Sequence, residues 1–232
     1  MSPGISVSRM CIPFGSGVVP MSAGEIAIRA GNTVGWYDFT DATTLTNDGG
    51  GLISEWRDKL LSGNDLTAAA GARPTLGATG ITFDGLNTIM KGTFSNAQPV
   101  QLYMVFNYPA WVTTKTFFDG STDITGIIYT TGVDPSFNTG TGFANNTLLL
   151  NQFVILRVLF RGATSSSQVN ELAKANGDMS SIANLDGITI GGRGGGAWKS
   201  AIIVKEIVCR NVADSAPDEA AIYTYLKAKH GL

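Results

Sequence analysis

Histidine and cysteine are almost missing from this chain, with one His and two Cys in 232 residues. Structural and catalytic zinc sites draw on several such side chains at close spacing, so the composition argues against a zinc centre. An imidazole-based triad is left with His230 alone. It falls at the end of a helical pattern, where a cation suits the dipole and water is near, so it reads as a charge complement and not as a general base. Charge is also scarce at 15%, with 16 basic and 18 acidic residues giving a net −2. That leaves no basic footprint for nucleic acid. No stretch approaches the roughly 18 consecutive apolar residues that cross a bilayer, so no membrane insertion is expected. The first basic residue is Arg9, and the run Cys11–Pro20 is broken by Pro and Gly. A secretory signal places charge before an unbroken apolar core, so none is expected and the chain should fold where it is made. Cys11 and Cys209 could pair if the fold joins the termini, but thiols in such a compartment are more often free.

What the sequence does have is apolar residues (44%) and 29 glycines, which together suit a folded sheet protein with many turns. The length fits a single domain. Residues 1–24 are rich in Gly, Pro and Ser without periodicity and read as a flexible arm, leaving residues 25–232 as the domain. Short apolar runs follow, such as Glu25–Arg29, Val34–Phe39 and Gly80–Asp84, separated by turn residues. In Val100–Tyr108, Leu102, Met104 and Phe106 alternate with Gln101, Tyr103 and Val105, the period of a strand. Leu148–Phe160 is apolar on both faces apart from Asn151, Gln152 and Arg157, which predicts one or two central strands. Ala201–Cys209 continues the theme.

The C-terminus alone reads as helix. Ser215 can cap it, Pro217, Asp218 and Glu219 suit its first turn, and Ile222, Tyr225 and Leu226 share a face. Lys227, Lys229 and His230 crowd its negative end, and Gly231 can terminate it. Many strands and one terminal helix predict an all-β, two-sheet antiparallel sandwich with a short C-terminal α-helix. The segment Gly191–Gly196 superficially suits a phosphate loop. Such a loop must open a helix, and here Trp198 and a strand follow, so a hairpin loop is expected.

Several segments occur in a recognisable order: Trp56-Arg-Asp58, Ser62-Gly-Asn-Asp-Leu66, Arg73-Pro74, Ile81-Thr-Phe-Asp-Gly85, Ile188-Thr-Ile-Gly-Gly-Arg193, Trp198, Glu206-Ile-Val208 and Tyr225–Gly231. Over residues 32–232 the set resembles the laminin-G-like branch of the concanavalin A-like lectin/glucanase superfamily, as found in bacteriophage tail, fibre and head-decoration proteins. The resemblance implies a jelly roll, with Trp56 and Phe83 as core anchors and Asp84-Gly85 as a tight turn. Hydrolases of that superfamily carry Glu-x-Asp-x-x-Glu on one strand. None of Glu25, Glu55, Glu171, Glu206 and Glu219 stands in such a set, and Glu206 reads as fixing a loop or pairing with a base. Calcium occurs in the superfamily, but no dense ligand run is present, so no cofactor is assigned and the metal question stays open.

The expectation is therefore a non-enzymatic bacteriophage virion structural protein, a head decoration or tail component acting by protein–protein contact. Its partners would be other virion proteins in a symmetric homo-oligomer, with Arg9, Ile12 and Phe14 of the arm anchoring it to the particle. The alternative is a lectin-like module for bacterial surface polysaccharide, and a hydrolase or lyase comes after that. For the lectin-like reading the candidate contacts are Trp111 and Trp198, whose faces can stack on sugar rings, and the loop residues Asp119, Asp123, Asn145 and Asn146.

Overall fold

A computed structural model describes residues 20–122, 127–131, 134–138, 142–144, 148–178 and 184–232. Helix α1 (Ala23–Arg29) comes first, followed by β1 (Thr33–Asp38), β2 (Leu45–Asn47), β3 (Ile53–Trp56), β4 (Leu66–Thr67), β5 (Thr75–Leu76) and β6 (Ile81–Asp84). Next are β7 (Met90–Ala97), β8 (Val100–Asn107), β9 (Thr116–Asp119), β10 (Ile127–Thr131), β11 (Asp134–Asn138) and β12 (Gly142–Ala144). The chain closes with β13 (Phe153–Phe160), β14 (Ser165–Val169), β15 (Ala175–Gly177), β16 (Asn184–Ile190), β17 (Ala201–Arg210) and helix α2 (Ala216–His230).

The strands form two antiparallel sheets, as expected of an all-β sandwich. One is nine-stranded in the order β12-β11-β10-β9-β16-β7-β4-β3-β2. The other is eight-stranded, β15-β14-β13-β8-β17-β6-β5, with β1 pairing β17 beside that path. Strand β17 is thus shared: β8 lies along one side, and β6 then β1 along the other. Between the sheets lies the main core. Trp56, Met90, Phe118, Ile188 and Ile190 come from the nine-stranded sheet, and Leu102, Met104, Phe106, Leu156 and Val204 from the other.

Both faces of the eight-stranded sheet are buried, which explains the near-continuous apolar character of its central strands. Leu102, Met104 and Phe106 of β8 enter the inter-sheet core. Tyr103 and Val105 point the other way, into a second cluster with Ala27 and Ile28 of α1 and Ile222 and Leu226 of α2. Ile222 and Leu226 are fully buried, and each contributes roughly 1.5–3 kcal/mol. The two helices therefore form a third layer held mainly by apolar contact. Helix α2 follows its expected caps. The Ser215 hydroxyl accepts the Asp218 N–H at 3.3 Å, and Gly231 ends the helix in the left-handed region.

Two segments differ from expectation. Glu25–Arg29 belongs to a helix and not to a strand-like run. Ser22 and Glu25 form a reciprocal capping box at 3.2 and 3.3 Å, and Gly24, Ala27 and Ile28 are its buried residues, at helical spacing. Gly191–Gly196 is not a hairpin loop, because it carries the chain from β16 in one sheet to β17 in the other. Gly191 has φ +83°, and a Cβ there would lie 2.4 Å from Phe83 Cδ1. The crossover hugs the core only because this position has no side chain.

Candidate functional site

Strand β9 ends in buried Asp119, whose carboxylate accepts the N–H of Gly120 at 2.8 Å and of Gly194 at 3.0 Å. Asp186 on β16 accepts the N–H of Ser121 at 2.8 Å and of Thr122 at 3.1 Å. Two carboxylates thereby hold the turn after β9 and the Gly-rich crossover by their backbones. Trp198 lies at the far end of that crossover, 39% exposed, with the Arg193 guanidinium 4.4 Å above its ring. Asp119 and Trp198 are thus brought to one corner. Trp111 instead packs edge-on against Tyr108 and leans on the main core. Asp123, Asn145 and Asn146, together with Arg9, Cys11, Ile12 and Phe14, lie outside the described residues. Cys209 is a free, buried thiol, its pKa pushed up to about 12 by burial.

A denser arrangement of chemistry lies where β1, β17 and the end of α2 meet. Asp38 and Glu206 stand opposite each other in the β1–β17 register, and both are buried. Glu206 accepts the Trp36 indole N–H at 2.6 Å, and its other oxygen lies 2.7 Å from Lys229 Nζ and 2.6 Å from His230 Nε2. Lys229 also bonds Asp38 at 2.6 Å, and Lys59 bonds Asp38 at 2.8 Å. The helix supplies two of these bases from consecutive residues of its last turn. Burial alone would raise the Asp38 pKa. Hydrogen bonds from Lys229, Lys59 and Thr40 outweigh it and lower the value from 3.8 to about 2. The sequence reading of Glu206 as a partner for bases holds. His230 differs from expectation: its side chain is 3% exposed, because the helix end is drawn down onto β17 and not left in water.

Beside His230 opens a pocket of about 760 Å³. Four amide side chains line it: Asn107 at the end of β8, Asn151 and Gln152 before β13, and Asn170 after β14. Asn107 is 8% exposed, and its Oδ1 has no hydrogen-bond partner. Asn170 spends its Oδ1 on the Ile155 N–H at 2.8 Å, leaving its NH₂ end directed elsewhere. Lys205 Nζ sits 3.9 Å from the centroid of Phe153, and the Arg157 guanidinium 4.3 Å from that of Tyr223. With cations over both rings, the pocket offers hydrogen bonds more than stacking surfaces. A second hollow of about 650 Å³ lies between α1 and α2, with Ala23, Gly24, Ala220, Ala221 and Ala228 among its lining residues. The amides escaped notice in the sequence, although Asn151 and Gln152 were visible as the polar break in an apolar run.

No protein-family model matches the chain, and no curated protein sequence matches it. The fold does match solved structures. Trypanosoma rangeli sialidase aligns with TM-score 0.62 and 14% identity over 97% of this chain and 36% of the sialidase. A GH54 α-L-arabinofuranosidase aligns with TM-score 0.62 and 13% identity over 90% of this chain and 65% of that one. An arabinofuranosidase complexed with arabinofuranosyl-α-1,2-xylobiose aligns with TM-score 0.61 and 14% identity, covering 76% and 51%. This chain spans about a third of the sialidase's length. At such identity the likeness establishes the β-sandwich. These neighbours are glycosidases by name, and they correct the expectation of a non-enzymatic bacteriophage virion structural protein. The architecture is one that glycoside-processing proteins use, and no virion role follows from it.

Proposed function

We propose that this chain is the glycan-engaging β-sandwich of a carbohydrate-active enzyme, and that the pocket beside His230 takes the sugar. The observation that carries the reading is the amide lining, with Asn107 buried and unpartnered at the pocket wall. A buried polar atom without a partner is costly unless a ligand supplies one, and a half-turn of the amide presents either its oxygen or its nitrogen to a hydroxyl. The motif order that resembles the concanavalin A-like superfamily supports the same class of ligand, as do the glycosidases among the fold neighbours. Bacterial surface polysaccharide is the glycan the sequence reading favours.

Glycoside hydrolysis takes two carboxyl groups flanking one bond. Glu171, the acidic side chain that lines the pocket, is engaged with Lys227 at 2.5 Å, and Glu206 lies behind His230 outside the lining. The pocket is therefore assigned the holding of the sugar, and cleavage is assayed on the same protein. The test is an amide-resolved NMR titration with a panel of bacterial oligosaccharides, alongside an assay for new reducing ends. Saturable shifts at Asn107, Asn151 and Gln152, lost in Asn107→Ala, are expected. Absence of any saturable shift across the panel overturns the reading. Shifts confined to Trp111, Asp119 and Trp198 would move the site to those residues.

A further inference from the structure

Lys205 lines the pocket without an ion-pair partner among the described residues. Strand β17 has a bulge in its register with β8 at Lys205: Val204 opposes Phe106, and Glu206 opposes Val105. Bulges re-aim side chains, and here Glu206 turns into the buried ion network while Lys205 turns to the pocket wall. Around it the other side-chain charges are paired. Glu171 and Lys227 form a mutual ion pair, and Glu206 and Asp38 are matched by Lys229 and Lys59. Among the described residues no carboxylate lies within salt-bridge distance of Lys205, whose ammonium rests on the Phe153 ring. Burial lowers its pKa without an opposing anion, the signature of a cation lacking its counter-charge.

Resting on the sugar reading of this pocket, we propose that its ligand is an acidic sugar whose carboxylate pairs with Lys205 while its hydroxyls engage Asn107, Asn151 and Gln152. A neutral sugar would leave the lysine uncompensated. A simple carboxylate would leave Asn107 unpartnered. A molecule with both groups answers both vacancies. The bulge makes the pair of sites possible, because an unbroken ladder would put Lys205 and Glu206 on alternate faces in a different phase.

The experiment titrates the protein by NMR with glucuronic, galacturonic and N-acetylneuraminic acids, with glucose and galactose as neutral counterparts, and with acetate. At least one acidic sugar should bind about tenfold more tightly than the neutral sugars, as a charge-assisted hydrogen bond provides. Lys205→Gln should remove that preference, and Lys205→Arg should keep it. An unchanged urea midpoint for Lys205→Gln shows that the fold is intact. Equal binding of acidic and neutral sugars, or a preference that survives Lys205→Gln, overturns the proposal and leaves the sugar pocket standing. Acetate binding as tightly as the acidic sugars also overturns it. No binding by any of the sugars overturns the pocket reading and this proposal together.

Discussion

Asp38 and Glu206, facing each other across the β1–β17 ladder, share the single ammonium of Lys229 at 2.6 and 2.7 Å. Like charges directly opposite on a sheet repel, so this pairing depends on the cations that α2 and Lys59 bring to it. The helix is thereby locked by charge at its end and by apolar contact along its length.

Removing Glu206 tests that lock. Glu206→Ala strips the partner from the Trp36 indole and from His230, and leaves Lys229 with Asp38 alone. Breaking a buried pair typically costs about 3–5 kcal/mol, and a loss of that size is expected in urea unfolding. Glu206→Gln keeps an acceptor for Trp36 and should lose clearly less. Equal midpoints for Glu206→Ala and the wild type would contradict the account.

Acid should loosen the same corner. The Asp38 pKa is held at about 2 against an ordinary 3.8, so its contribution is complete above about pH 4 and disappears as pH falls toward 2. The shift corresponds to roughly 2 kcal/mol. Urea midpoints measured between pH 5 and pH 2 should therefore fall more steeply for the wild type than for Asp38→Asn, which starts lower. Parallel slopes would show that Asp38 is not coupled to folding in that window.

Gly191→Ala places a Cβ 2.4 Å from Phe83 Cδ1 at φ +83°. Overpacking combined with a left-handed backbone should cost at least about 2–4 kcal/mol, seen as a lowered Tm. Adding Phe83→Leu should recover part of the loss by making room, so the pair should be non-additive.

Elements with local signatures were readable from the sequence. The alternation of Leu102, Met104 and Phe106 foretold β8, and the apolar run Leu148–Phe160 foretold a central strand, β13. Ser215 and Gly231 bounded α2 correctly. The capping box of Ser22 and Glu25 was equally present, but Ile26 and Ile28 at a spacing of two imitated a strand. The functional corner left no such trace. Asp38 and Lys229 are 191 positions apart, and the pocket takes Asn107, Asn151, Lys205 and His230 from four separate segments. No spacing rule joins residues that only the sheet register brings together. The bulge at Lys205 belongs to the pairing of two strands and so cannot be read from either one.

The position of β17 has a consequence for how the protein comes into being. This late strand is the neighbour of β8, β6 and β1, all of which precede it by about a hundred residues or more. A ribosome-bound chain that has not yet reached residue 201 therefore has a gap where the centre of one sheet belongs, with bare strand edges on both sides of it. Such edges invite pairing with other chains. Synthesis should yield a folded sandwich only once residues 201–232 have emerged, and truncation before residue 201 should produce aggregate and not a smaller domain.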